Sequence, residues 1–457
     1  MKNSIWGSFA LLSFAVSCVS SEKQKVQPPN FIVIIADDAA WDDFGAYGNQ
    51  SIRTPNINKL AEDGLLFTNA FLTTSSCSPS RASILTGRYP HATGAQELHM
   101  PLPEHQILFP GELQKVGYYT ALAGKYHLGG IRSEFDTIYG GSPSGSEFWM
   151  EALQNRPKEM PFFYWFAALD PHRNYEVGII DNPHLPAEVV VPPYLPDNES
   201  TREDLALYYD EISRLDSYVG LIMNELIEQG ISENTVLIFM TDNGRPFPRD
   251  KTRLYDSGIK TPFIVKWPAK INPGVTNALI SAIDIAPTIL SLAGAEIPSV
   301  LQGNSFANLF QYPDSSFREH IFAEHNWHDF QAHERAVRSS KYLYIRNAFP
   351  ELNASPPADA VRSITFQKMI EMYNAGTLPS HQQDCFIFPR SAEELYDVVA
   401  DRYQMNNLVL DENYSGVLNE MRSTLDNWIL EYNDTIPVNP TPDRFDRITG
   451  QRLANPL

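Results

Sequence analysis

Four apolar runs of the sequence end in side chains able to hold ions or move protons. "NFIVIIADD" ends at Asp37 and Asp38, "GYYTALAGKYH" at Lys125 and His127, "PFFYWFAALDPHR" at Asp170 and His172, and "NTVLIFMTDN" at Asp242 and Asn243. After one strand, an Asp reads as the cap of the next helix. Four such ends, carrying Asp-Asp, Lys-x-His, Pro-His and Asp-Asn, point instead to one shared site. A histidine titrates near neutral pH and serves as acid or base. A fifth stretch, "SSCSPSRASILTGR", sets Cys77 among serines, two residues before Pro79 and four before Arg81.

The elements that must position these residues are strands alternating with helices. Each apolar run has the length of a buried strand. Between the last two lies "REDLALYYDEISRLDSYVGLIMNELIEQG", with apolar residues at helical spacing, acids early and Gly230 as a stop. "NINKLAEDGLLF" and "FPGELQKVGYYT" repeat a helix, glycine, strand rhythm. The pattern predicts an α/β fold, a large mixed and mostly parallel sheet sandwiched by helices, with ligands beyond the carboxyl ends of its strands. After about residue 310, "RAVRSSKYLYIRN" alternates like an exposed antiparallel strand, and "EELYDVVADRYQMNNL" reads as a strand followed by helix-like sequence. We therefore expect a catalytic domain over 30–330 and a smaller α+β domain over 331–457. That second domain would hold an antiparallel sheet and a Pro-rich tail lying loosely on the surface.

The 457 residues carry 35 Lys and Arg against 55 Asp and Glu, a net charge of −20. This argues against a nucleic-acid partner, which demands a basic footprint, while a few local cations can still bind an anionic ligand. Residues 1–18 read as a secretory signal: Lys2 precedes an apolar run too short to span a bilayer. The run ends in "FAVSC", which resembles a bacterial lipobox with Cys18 as the lipidated residue, and 19–29 form a polar tether. The expected location is the periplasm or cell envelope, with membrane contact only through that anchor; a plain signal cut elsewhere, discarding Cys18, is the alternative. Of three cysteines, Cys77 and Cys385 then belong to the folded protein. A secreted chain of this size does not need a lone disulfide, and Cys385 reads as a buried thiol.

"CSPSR" matches the Cys-x-Pro-x-Arg signal of the formylglycine-dependent sulfatases, and "CSPSRASILTGRYPHATG" resembles their longer signature. Within that family, "LFTNAF", "SSCSPSRAS", "DPHR" and "DNGRPFP" resemble the heparan N-sulfatase branch. The resemblance implies that a maturation enzyme oxidises Cys77 to formylglycine. One hydroxyl of the hydrated aldehyde attacks sulfur, and the other later expels sulfate, so turnover avoids a second attack at sulfur. It implies that Asp37, Asp38, Asp242 and Asn243, with the residue at 77, hold Ca²⁺, a choice suited to hard oxygen ligands. Arg81 would hold the modified residue and Lys125 the sulfate. His127 would take the proton of the second hydroxyl, and His172 would protonate the leaving oxygen or nitrogen. Lys251 aligns with a second sulfate-binding cation, with Arg249 and Arg253 as neighbouring alternatives. Pro79 favours a helix beginning just after residue 77.

Sugar contacts are sought in loops: His99 after the signature, Arg173 beside His172 as a partner for a carboxylate, and His325 and His328 in "FAEHNWHDFQAHER", where Trp327 could stack on a ring. The expected substrate is a sulfated oligosaccharide or polysaccharide, algal such as ulvan or a glycosaminoglycan. O-sulfate ester hydrolysis is preferred to N-sulfoglucosamine hydrolysis. Two other classes compete: phosphodiesterases and phosphonate hydrolases of the same superfamily, which typically use Thr or Ser as nucleophile, and a non-catalytic glycan-binding lipoprotein, which would require a lost core residue.

Overall fold

A computed structural model describes residues 1, 27–130 and 133–454. The signal, Cys18 and most of the tether lie outside the described residues. The central strands are runs of β-branched and aromatic residues without polar alternation, which suits burial on both faces. In chain order the strands are β1 (Asn30–Ala36), β2 (Leu65–Phe71), β3 (Tyr119–Gly124), β4 (Thr137–Tyr139), β5 (Phe162–Ala167), β6 (Thr235–Thr241), β7 (Phe263–Lys266) and β8 (Gly274–Ser281). They form one sheet in the order β4-β3-β5-β1-β6-β7-β2-β8. Its neighbours run parallel except where β7 opposes β6 and β2.

Alternate residues of each central strand feed two cores. Ile32, Ile34, Phe162, Tyr164, Phe166 and Phe239 pack under the long helix Glu199–Glu228 through Leu205, Tyr208, Ile212 and Leu215. Phe31, Val33, Phe163, Trp165 and Ile238 pack on the other face with Ile84, Leu113, Ile285 and Leu290. Each fully buried side chain of this kind contributes about 1.5–3 kcal/mol. The long helix starts where Asn198 accepts from the Thr201 N–H at 3.0 Å, a side-chain cap for an otherwise unpaired donor.

The register of β3, β5, β1 and β6 brings their ends level. Gly124 pairs with Ala167, Ile35 with Ala167, and Ala36 with Thr241. The hydrogen bonds continue past the strands: Lys125 N to Ala167 O at 2.8 Å, Asp37 N to Asp170 O at 2.9 Å and Asp242 N to Ala36 O at 3.2 Å. Four stretches distant in sequence thereby place their polar residues side by side.

The second sheet is antiparallel, ordered β12-β11-β10-β9, from β9 (Ile321–His325), β10 (Glu334–Arg338), β11 (Tyr342–Asn347) and β12 (Glu393–Asp397). It begins at Ile321, on the catalytic side of the boundary expected near residue 330. One face packs on Phe71, Leu254, Tyr255 and Ile259. The other is covered by Leu418, Met421, Leu425 and Trp428 of the helix Ser415–Tyr432. This corrects the expectation of an exposed strand, since all five residues of β10 are buried. Its charged side chains are paired inward, Arg338 with Asp256 and Arg335 with Asp434. The stretch after β12 is turns rather than helix. The tail is pinned, not loose: Trp327 Nε1 donates to Pro442 O at 2.8 Å, and Arg444 N donates to Asp329 O at 2.9 Å. Cys77 and Cys385 are both free and buried.

Two predictions follow from how the sheets are held. Gly124 has φ +102°, and a Cβ there would lie 1.9 Å from Ala167 O. Gly124→Ala should lower stability by at least about 2 kcal/mol in urea melts; an unchanged midpoint would show that the strand end yields freely. His91, in the short helix Pro90–Thr93, ties the catalytic side to the small sheet and its covering helix, with Nδ1 2.6 Å from Glu324 Oε1 and Nε2 3.1 Å from Tyr432 O. Burial disfavours its charged form, but the Glu324 carboxylate outweighs burial and the net shift is upward. A value raised on folding gives stability present in full below the unfolded value of about 6.5 and lost as pH rises through the folded value. The melting-temperature gap between wild type and His91→Gln should therefore be widest near pH 6 and narrow toward pH 9; a constant gap contradicts the pairing.

Candidate active site

The helix Cys77–Thr86 begins one residue earlier than expected, at Cys77 itself, after Ser76 in extended conformation. Pro79 sits in the first turn, where its missing N–H leaves no helical bond unmade. Gly87, at φ +62°, ends the helix. All ten residues of the helix are buried, so this element is a core strut that presents position 77 to the strand ends.

Position 77 meets the acidic pairs there. Asp37, Cys77 and Asp242 offer ligand atoms all within 4.8 Å of one another. Cys77 Sγ lies 3.5 Å from Asp38 Oδ1, and Asn243 Nδ2 donates to that same oxygen at 2.7 Å. Asp37 Oδ1 and Asn243 Oδ1 are buried without a hydrogen-bond partner among the described residues. Asp37 Oδ1 has only the Arg81 guanidinium at 3.5 Å; such oxygens on adjacent strand ends, beside two further carboxylates, fit a hard divalent cation such as Ca²⁺.

Three cations compensate these carboxylates. Arg81 Nε donates to Asp242 Oδ2 at 2.8 Å, Lys125 Nζ lies 2.5 Å from Asp37 Oδ2, and Lys251 Nζ lies 2.7 Å from Asp38. Burial raises the Asp37 carboxyl, but Lys125 leads the cations that bring it below the ordinary value. Burial pushes the Cys77 thiol well up despite Lys125 and Lys251, so the unmodified side chain is a protonated thiol and a poor nucleophile. Of the three candidate cations near 251, only Lys251 turns to the acidic pairs. Arg249 donates to Tyr403 O and stacks on Tyr255, and Arg253 pairs with Glu334 and Asp384.

Two histidines frame the other side. His127 has φ +48° and His99 φ +63°, and His99 Nδ1 lies 2.8 Å from His127 Nε2. One ring of such a pair donates and the other accepts. His99 is also fixed by its backbone, whose N–H donates to Ser78 Oγ at 2.8 Å. Burial first, then Lys125 and Arg81, hold His127 down at about 2. It is therefore neutral, and its buried Nδ1 has no hydrogen-bond partner among the described residues. His172 Nε2 lies 3.8 Å from Asp38 Oδ2 and 3.9 Å from Asp359 Oδ2.

Several expected sugar contacts do not reach the site. Arg173 forms a two-pronged pair with Asp204 at 2.7 and 2.9 Å, donates to Pro246 O, and stacks on Phe247 and Tyr175. With its side chain 7% exposed and aromatic rings packed against it, the guanidinium fixes the loop after β5 rather than presenting itself to a substrate carboxylate. His328 is buried with Nδ1 2.6 Å from Ser76 Oγ, bracing the start of the catalytic helix. His325 is buried beside Glu334. The cleft that both histidines line has only about 20 Å³ of free space, room for a water and not for a sugar ring. Trp327 is buried and tied to Pro442. His99 stays exposed at the rim.

Asp359 is the site residue that sequence reasoning missed. It sits in "SPPADAV", in the first turn of the short helix Ala358–Val361, where no strand end or motif marks it, and only the folded C-terminal half carries it to His172.

The comparisons with known proteins agree with this geometry. A sulfatase family model matches residues 29–295, over half of the chain, and a model for the C-terminal region of N-sulphoglucosamine sulphohydrolase matches 247–350. The chain is 30% identical to human N-sulphoglucosamine sulphohydrolase over 90% of its own length and 91% of that protein. It is 29% identical to an ulvan-active sulfatase of Formosa agariphila over 91% of its own length and 77% of that protein. Its fold matches, with a TM-score of 0.73 and 20% identity over 90% of this chain and 99% of the other, a protein solved in complex with its substrate D-glucosamine-2-N,6-O-disulfate. With a sulfatase model spanning its strand-end site and a C-terminal model continuing beyond it, the chain belongs to the sulfatase family, in its N-sulphoglucosamine sulphohydrolase-like branch, and is a sulfuric ester hydrolase.

Proposed function

We propose that the protein removes sulfate from oligosaccharides of a sulfated polysaccharide, ulvan-like or glycosaminoglycan, acting on O-sulfate esters at the cell envelope. The observation that carries this reading is the convergence of two acidic pairs, Cys77 and three cations at one set of strand ends. The saccharide class is supported by what the relatives act on, ulvan in one and a sulfated glucosamine in another. A second reading, hydrolysis of N-sulfated glucosamine, is favoured by the 30% identity with the human sulphohydrolase and by the match of its C-terminal model.

In this proposal a maturation enzyme converts Cys77 to formylglycine, and Asp37, Asp38, Asp242 and Asn243 hold Ca²⁺. The hydrated aldehyde supplies a nucleophilic hydroxyl, and the ion a fixed positive charge beside the sulfate. The remaining work falls to this chain's side chains. Lys125 and Lys251, each held on a different aspartate, offset the charge on the sulfate oxygens. Arg81 keeps position 77 and Asp242 in register. His127, neutral and with its Nδ1 unpartnered among the described residues, accepts a proton at position 77, and His172 delivers one to the leaving atom. Lipidation at Cys18 would hold the enzyme at the membrane surface with its substrate-facing rim in the periplasm.

Mass spectrometry of protein made with a maturation enzyme tests both modifications together. Position 77 should read as formylglycine, with Cys77→Ala inactive, and Cys18 should carry lipid at the mature N-terminus; full activity with an unmodified thiol at 77 rejects the mechanism. A chromatographic screen of ulvan fragments and heparin disaccharides, with and without chelator, tests the substrate. Desulfation of ulvan fragments that chelation abolishes and calcium restores is the expected result. Release of only N-linked sulfate would select the second reading.

A further inference from the structure

We propose that Asp359 is a specificity-determining residue, accepting a hydrogen bond from a hydroxyl or ammonium group on the sugar carbon next to the one bearing the scissile sulfate. The inference rests on the carbohydrate sulfatase reading above and adds to it the character of the neighbouring substituent.

The geometry leaves one oxygen of Asp359 available. Its Oδ1 accepts from Ala360 N at 2.8 Å, while Oδ2 has no hydrogen-bond partner among the described residues. That free oxygen lies 3.9 Å from His172 Nε2, and the side chain is 20% exposed, so a ligand can reach it. The position is built rather than incidental. Asp329, at φ +63°, accepts from Ala358 N through Oδ2 at 3.0 Å, and its carbonyl accepts from Arg444 N at 2.9 Å. Three segments of the C-terminal half are thus tied together where Asp359 faces the catalytic histidine. Burial works against the Asp359 anion, but Lys251, His172 and Arg173 outweigh it, and the carboxyl stays below its ordinary value.

An ionised carboxylate accepts hydrogen bonds and donates none, and it repels a second anion at close range. For His172 to protonate the leaving atom, that atom must come within about 3 Å of Nε2. Asp38 Oδ2 lies 3.8 Å from the same nitrogen on the ion-binding side, and in the proposed pose the substituent on the adjacent ring carbon is turned to the other side, against Asp359 Oδ2. A hydroxyl or ammonium group there is bound, whereas a sulfate or carboxylate is rejected. One side chain delivers the proton and its neighbour reads what stands beside the leaving group.

Asp359→Asn retains the size of the side chain and an oxygen for Ala360 N but removes the charge. The test measures kcat/KM of matured, calcium-loaded wild type and variant on two pairs: glucosamine N-sulfate against glucosamine N,3-O-disulfate, and rhamnose 3-O-sulfate against rhamnose 2,3-di-O-sulfate. Wild type should favour the hydroxyl-bearing member of the pair it accepts by about tenfold or more. The variant should lose most of that preference, with an unchanged thermal melt. A preference that Asn leaves intact, or a wild type that favours the disulfate, overturns the role of Asp359 while leaving the sulfatase reading in place. Failure to desulfate any of the four sugars, by enzyme whose position 77 is formylglycine, overturns the carbohydrate reading and this inference with it.

Discussion

Three carboxylates buried in one place, Asp37, Asp38 and Asp242, set the terms for the rest of the molecule. An isolated buried carboxylate is costly and would take up a proton. Here each is answered by its own cation, Lys125, Lys251 and Arg81 respectively, at 2.5 to 2.8 Å. Such arrangements contribute little net stability when complete, and removal of one partner strands a charge at a cost of about 3–5 kcal/mol. The cluster is therefore better understood as stored charge than as a fastener. It sets anionic oxygens that fit a divalent ion beside cations that suit an anionic substrate.

Holding that cluster requires stiffness beneath it, and the two sheets supply it differently. The large sheet fixes the strand ends by register, with apolar side chains locking both faces. The small sheet braces the loop before the catalytic helix. Glu324 N donates to Thr73 O at 2.8 Å, and the Glu324 carboxylate meets His91 just beyond the helix. His328 holds Ser76. Residues on both sides of Cys77 are thus gripped by a domain whose own strands begin more than two hundred residues later.

Much of this was legible in the chain because strands buried on both faces leave an unmistakable pattern. β1, β3, β5 and β6 stand out as apolar runs, and the polar residues that close them fall at the ends where an α/β sheet binds ligands. Cys77, Arg81 and the acidic pairs followed from local motifs. The failures share a cause. Arg173, His325 and His328 have the chemistry of sugar contacts, but whether such groups face solvent depends on folded partners that no local motif announces: Asp204, Glu334 on the neighbouring strand, and Ser76. The exposed reading of β10 failed likewise, since its arginines are paired inward with Asp256 and Asp434. Asp359 carried no local signal because its neighbour in space, His172, belongs to another part of the chain.

The order of residues along the chain also matters. Every group assigned to the chemistry lies between Asp37 and Lys251, whereas the parts of the rim formed by Asp329, Asp359 and Arg444 come later. The bond-breaking apparatus and the residue proposed to read the sugar are therefore on separate stretches of polypeptide, joined through backbone and side-chain contacts. Substitutions in the later stretch can retune which sugar is admitted while the charge cluster stays untouched. A fold divided in this way can diversify its diet without rebuilding its engine.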